Sequence, residues 1–159
     1  MLIRFTSSAI PIMMLPYHEF GRLRLASFLP EADLAHVDSG WEFQGYLWHG
    51  EALGFSEWLR LDDDPEVLRS LAIDFAEFPA SAADSALRAL KLPVRQGMSL
   101  RELDELMGPR VAERHFVAGR VNCDYFTPKP YRYRISCTVL NDGGLSYVVV
   151  MVPPIGDEI

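Results

Sequence analysis

The sharpest pattern in the chain begins at Ser99. Leu100, Leu103, Leu106 and Met107 recur at helical spacing, and Arg101, Glu102, Asp104 and Glu105 fill the positions between them. Ser99 and Glu102 have the spacing of a capping box, in which each side chain takes a backbone N–H that the first helical turn leaves unpaired. Gly108 stands where a left-handed cap is wanted, and Pro109 blocks continuation. Beyond it the period changes to two. Three strands are expected at about 114–126, 131–140 and 145–152, separated by Thr127-Pro128-Lys129-Pro130 and by Asn141-Asp142-Gly143-Gly144. In the middle strand Tyr131, Tyr133 and Ile135 share one face, against Arg132, Arg134 and Ser136. Val148-Val149-Val150 is apolar on both faces, which suits a central or doubly covered strand.

Upstream the elements are shorter. Ala83, Leu87 and Leu90 fall on one face of a helix over 81–91, with Asp84 and Arg88 spaced to pair and Pro93 as its stop. Asp62-Asp63-Asp64-Pro65-Glu66 reads as a helix start, leading into Val67–Leu71. Ile73, Phe75 and Phe78 then alternate with polar residues, as a strand does. Pro30–Val37 reads as a short helix, broken by Asp38-Ser39-Gly40. Trp41–His49 reads as a strand interrupted at Gly45, with Leu53–Leu61 as its hairpin partner across His49-Gly50-Glu51. The runs Leu2–Phe5, Ile10–Leu15 and Leu23–Leu29 read as strands, and Pro11 and Pro16 hold the earlier ones to edges or ends.

The pattern defines an α+β fold: mainly antiparallel sheet packed against a few short helices, with a C-terminal α-β-β-β unit. We expect one domain over 1–159, with a subdivision into a β-rich part (1–79) and a helix-helix-three-strand part (80–159). With 49% of its 159 residues hydrophobic, the chain can fill one sizeable core.

Charge changes the functional picture more than the fold. Lys and Arg number 15 against 22 Asp and Glu, a formal charge of -7. Nucleic acid and anionic membrane are therefore disfavoured partners, and a basic protein is a favoured one. Arg132 and Arg134 beside tyrosines resemble a single-strand-binding surface, but the net charge opposes that reading. No apolar run approaches the roughly 20 residues of a spanning helix. The N-terminal apolar stretch is broken by Arg4, Thr6, Ser7, Ser8 and Pro11, unlike a secretory signal, so the expected location is cytoplasmic.

Reactive groupings are scarce. Asp62–Asp64 lacks the alternating ligands, glycine and distal glutamate of a calcium loop. His18, His36, His49 and His115 are scattered, and no two have the spacing of a helical metal site. His18 and Glu19 are adjacent, which on a strand sends them to opposite faces. Cys123 and Cys137 lie outside any C-x-x-C motif and read as buried thiols brought close by the turn near Lys129. There is no phosphate-binding glycine pattern. No cofactor, metal or catalytic residue is expected. Trp41, Trp48 and Trp58 suit a core or an interface, and Trp58, just before the acidic run, is the one best placed to be exposed.

Residues 96–152 resemble the helix-plus-three-strand module of the SmpA/BamE outer-membrane assembly lipoproteins and of β-lactamase-inhibitor-like domains. The resemblance is carried by Gly97-Met98-Ser99-Leu100-Arg101-Glu102-Leu103-Asp104-Glu105-Leu106-Met107-Gly108-Pro109 and by the Asn141-Asp142-Gly143-Gly144-Leu145 turn. It implies a protein-binding module and brings no catalytic residue with it. Those families are exported, and this chain shows neither a signal nor a lipid-modified cysteine, so the outer-membrane role does not carry over.

In overall character the chain is similar to bacterial toxin-immunity proteins. The expected function is therefore non-enzymatic: neutralising a cognate toxin, such as a basic nuclease, by occlusion. Trp58, Asp62, Asp63, Asp64 and Glu66 are the expected contacts. The alternatives are a small enzyme or ligand-binding domain with a pocket using His18, His49 or His115, and a structural scaffold subunit.

Overall fold

The computed structural model describes residues 14–20, 34–38, 44–48, 51–52, 70–77, 80–128 and 130–151. Its centre is a five-stranded antiparallel sheet in the order β4-β8-β7-β6-β5. The strands are β4 (Ser70–Asp74), β5 (Ala112–Arg114), β6 (Arg120–Phe126), β7 (Arg134–Leu140) and β8 (Gly144–Met151). β5 to β8 form a meander of consecutive hairpins, and β4 closes the far side against β8. The fold is α+β, as the periodicities require.

Alternation decides which face is buried. Val121, Cys123 and Tyr125 of β6, Ile135, Cys137 and Val139 of β7, Val148 and Val150 of β8, and Leu71 and Ile73 of β4 join one core. Among the described residues three helices add to it, α1 (Tyr17–Phe20), α2 (Ala80–Leu90) and α3 (Leu100–Met107), with Met14, Leu92, Val94 and Met98 from the connecting segments. Phe20 lies edge-on to Tyr133, Ala82, Ala83, Ala86, Leu87 and Leu90 come from α2, and Leu103 and Met107 come from α3. The other sheet face carries Arg114, Asn122, Asp124, Arg134, Ser136 and Thr138. As the apolar triplet predicts, β8 is central, with β4 on one side and β7 on the other.

Helix ends follow their local chemistry. Ser99 Oγ accepts from the Glu102 N–H at 3.2 Å, and a Glu102 oxygen accepts from the Ser99 N–H at 2.8 Å. Gly108 does take a positive φ (87°), but with ψ at -168° it lies outside the left-handed helical region, in one open essentially to glycine. α2 ends without glycine. Lys91 adopts φ 53°, the Leu92 N–H reaches the Leu87 carbonyl, and the Lys91 N–H reaches the Arg88 carbonyl, which together make a Schellman motif.

Several expected elements are corrected. The strand expected over 114–126 is two strands, because the chain turns between Arg114 and Arg120, with Gly119 at φ 83°. Tyr131 and Arg132 belong to the preceding turn, where Arg132 has φ 49° and its guanidinium lies 5.2 Å from the Tyr17 ring centroid. Leu71 is in strand β4, where a helix was expected to end, since pairing with Val150 overrides the local helical signal. His18 and Glu19 lie in the single turn of α1, not in a strand. Asp84 and Arg88 make no ion pair among the described residues.

A separate three-stranded antiparallel sheet contains β1 (Leu34–Asp38), β2 (Gln44–Trp48) and β3 (Glu51–Ala52). Leu34–Val37 is thus strand rather than helix, held by pairing with β2. A hairpin follows Trp48, but the strand paired with β2 is Glu51–Ala52, within the expected turn, and the expected partner Leu53–Leu61 lies outside the described residues. Residues 21–33 and 53–69 lie outside the described residues, and with them the expected strand Leu23–Leu29.

The tightest point in the sheet lies where β8 begins. The Gly97 N–H reaches the Leu145 carbonyl and the Leu145 N–H reaches the Met98 carbonyl, so the lead-in to α3 is laced to β8. Gly144 has φ 71°, and a Cβ there would fall on the Gly97 backbone carbonyl. Gly144→Ala should therefore cost about 2–3 kcal/mol. At Gly143 the nearest atoms an added Cβ meets belong to the Leu140 side chain, at 3.3 Å, and Gly143→Ala should stay within about 0.5 kcal/mol of wild type. Urea denaturation of the two variants checks the contrast.

Candidate functional site

Polar residues gather at the β5 end of the sheet in two groups, one on each face. On the face away from the helices, Asp124 is 1% exposed and still ionised. A buried carboxylate needs donors, and the strands on both sides supply them. Arg114 of β5 donates one terminal nitrogen to both oxygens at 2.8 Å. Arg134 of β7 donates to Oδ2 at 2.7 Å, and the Ser136 hydroxyl donates to Oδ1 at 2.6 Å. Burial alone pushes the Asp124 carboxyl up, but the bonds from Ser136, Arg134 and Arg114 outweigh it and hold it below the ordinary aspartate value. Beside it, Asn122 donates to the Thr138 hydroxyl at 2.8 Å.

On the helix face a chain of contacts runs outward from the core. Tyr125 is buried, and its hydroxyl donates to Asp104 of α3 at 2.8 Å. Burial, and then the Asp104 bond, push its phenol far above the ordinary range, so Tyr125 acts as a fixed donor. Arg110 bridges Asp104 at 3.2 Å and Glu113 at 2.8 Å, and Glu113 meets His115 Nε2 at 2.6 Å. This is the one histidine–carboxylate contact among the described residues. It sits on the exposed edge of β5, with no wall around it to exclude water, and so lacks the setting of a general acid–base pair.

The described residues leave four large apolar side chains exposed: Val111, Phe116, Val117 and Leu140. Val111 precedes β5, Phe116 and Val117 form the β5–β6 turn, and Leu140 lies opposite Arg120, where that turn rejoins the sheet. Phe116 is 76% exposed. The Asn141 N–H bonds the Gly119 carbonyl and ties this turn to the β7–β8 turn. A nearby open hollow of about 670 Å³ is lined by Ser99, Leu100, Val121, Val139 and the 140–144 turn, with Asp142 as its sole ionisable group.

Cys123 and Cys137 are directly opposite on β6 and β7, both buried and both free thiols. The Cys137 thiol is pushed far above the ordinary range by its bond with Cys123 and by burial. Among the described residues no group of three or more His, Cys, Asp or Glu is placed to hold a metal, and no helix is long and apolar enough to cross a membrane.

Trp58, Asp62, Asp63, Asp64 and Glu66 all lie outside the described residues, as does His49. His18 is exposed on α1, edge-on to Tyr17, and is not brought together with His115. Neither the Asp124 cluster nor the apolar β5–β6 turn is legible in the sequence. A polar residue at every second strand position looks like ordinary alternation, and the donors to Asp124 stand ten and twelve residues away. Comparison of the chain with protein-family models, curated proteins and solved structures returns no match.

A carboxyl held below its ordinary value stabilises the fold fully above the unfolded-state pKa, and that stabilisation fades as pH falls through the folded-state value. Wild type should thus lose stability below about pH 5. Asp124→Asn should lose about 1–3 kcal/mol at pH 7, below the full cost of breaking a buried pair because both arginines reach solvent. It should also show a shallower acid dependence. Urea melts at a series of pH values test both.

Proposed function

We propose that this chain is a protein-binding domain of the immunity type, which neutralises a cognate bacterial toxin by covering it. The observation that carries the reading is a cluster of exposed large apolar side chains, among the described residues: Val111, Phe116 and Val117 flank β5, and Leu140 ends β7 where the β5–β6 turn rejoins the sheet. Aromatic and aliphatic anchors ringed by charge are what a protein interface uses. Here Phe116 and Val117 are the anchors, and Arg110, Glu113 and His115 are the polar rim.

Among the described residues β5 is an edge strand of three residues, with no strand paired to its outer side. The Asp104–Arg110–Glu113 contacts and the Asp124 cluster fix β5 before any partner arrives, which limits the ordering cost of binding. The net charge of -7 favours a basic toxin, since complementary fields speed encounter. Asp62, Asp63, Asp64 and Glu66 remain the acidic part of this proposal, with Trp58 beside them as an aromatic contact, and the cytoplasm is its proposed setting.

The test is recovery of a partner from the source cells on tagged wild type and on a Phe116→Asp/Val117→Asp variant, with quantitative mass spectrometry. One basic protein should be recovered in stoichiometric amount on wild type and at least tenfold less on the variant, while their thermal melts coincide. Equal recovery on both would sink the β5–β6 surface. A loss seen only with Asp62, Asp63 and Asp64 changed to Asn would move the contact to the acidic run.

A further inference from the structure

We propose that Arg114 and Arg134 form an oxyanion-binding site on the face of the sheet opposite α1–α3, taking one carboxylate or phosphate group between their guanidiniums. The placement is set by register. Arg114 stands opposite Asn122 and Arg134 opposite Phe126, so each arginine reaches diagonally to Asp124, which lies between those two positions on β6. Both place a terminal nitrogen within hydrogen-bond distance of the same oxygen, Asp124 Oδ2.

Pairing Asp124 does not require both. Arg114 alone contacts both carboxylate oxygens, and Ser136 takes a further bond to Oδ1. The second guanidinium brings a like charge close to the first and leaves the cluster with one positive charge in excess. A bound anion removes that excess.

The donors to hold it are present. A guanidinium carries five N–H groups, and each arginine gives only its Nη2 to Asp124, the one acceptor either meets among the described residues. Their side chains are 35% and 44% exposed, so a small anion can reach them, while Asp124 at 1% cannot move away. Two guanidiniums pre-set by a buried carboxylate are the arrangement that binds oxyanions through paired, charge-assisted bonds. The site does not depend on the identity of any protein partner.

The experiment follows the arginine Nε–Hε signals by NMR during separate titrations with inorganic phosphate and with acetate, at ionic strength held constant with chloride. A saturable shift of the Arg114 and Arg134 signals is expected from at least one probe, and the stronger probe identifies the source as phosphate or carboxylate. Arg134→Gln, which keeps the Arg114–Asp124–Ser136 bonds, should weaken that binding at least tenfold. Arg120→Gln, on the same sheet but outside the cluster, should leave it unchanged. The proposal is overturned if neither probe gives a saturable shift in wild type. It is equally overturned if folded Arg134→Gln binds as wild type does.

Discussion

A carboxylate removed from water is among the most demanding groups a small fold can bury, and Asp124 places that demand in the middle of three strands. Its donors come from β5 on one side and β7 on the other, so charge as well as backbone pairing holds the edge strand to the sheet. The next residue does the reverse job. Tyr125 points to the opposite face and fastens β6 to α3 through Asp104. Two consecutive residues thus secure both faces of the same strand, and β5, with only three residues of its own, inherits its position from them.

A second constraint fixes α3 against the sheet. The approach of Gly97 to Gly144 leaves no room for a side chain at the latter, and the paired bonds between 97–98 and 145 set where the helix starts. The capping box then sets its first turn, and its length brings Asp104 over Tyr125. Packing at one end of the helix and ionic contacts at the other are therefore consequences of the same short segment.

What the sequence made legible was local. The α3 capping box, the α2 stripe, the β7–β8 turn and the central place of β8 all follow from residues within a few positions of one another. What it concealed was set by register. Arg114, Asp124 and Arg134 are separated by ten residues at each step and meet only because of how three strands align. The break between β5 and β6 was hidden for a related reason: the segment His115–Gly119 contains no proline, and its Phe116-Val117 pair has strand character while lying in a turn. The strand at Leu34–Val37 is hidden in the sequence because pairing with β2 outweighs a weak helical preference.

The opposed thiols of Cys123 and Cys137 have a consequence of their own. Both are buried in the core on the helix-facing side of β6 and β7, so an alkylating reagent meets them only in molecules where that core has opened. Their modification rate is therefore a clock for the opening of the sheet's interior, already installed in the native chain and readable without any engineered label.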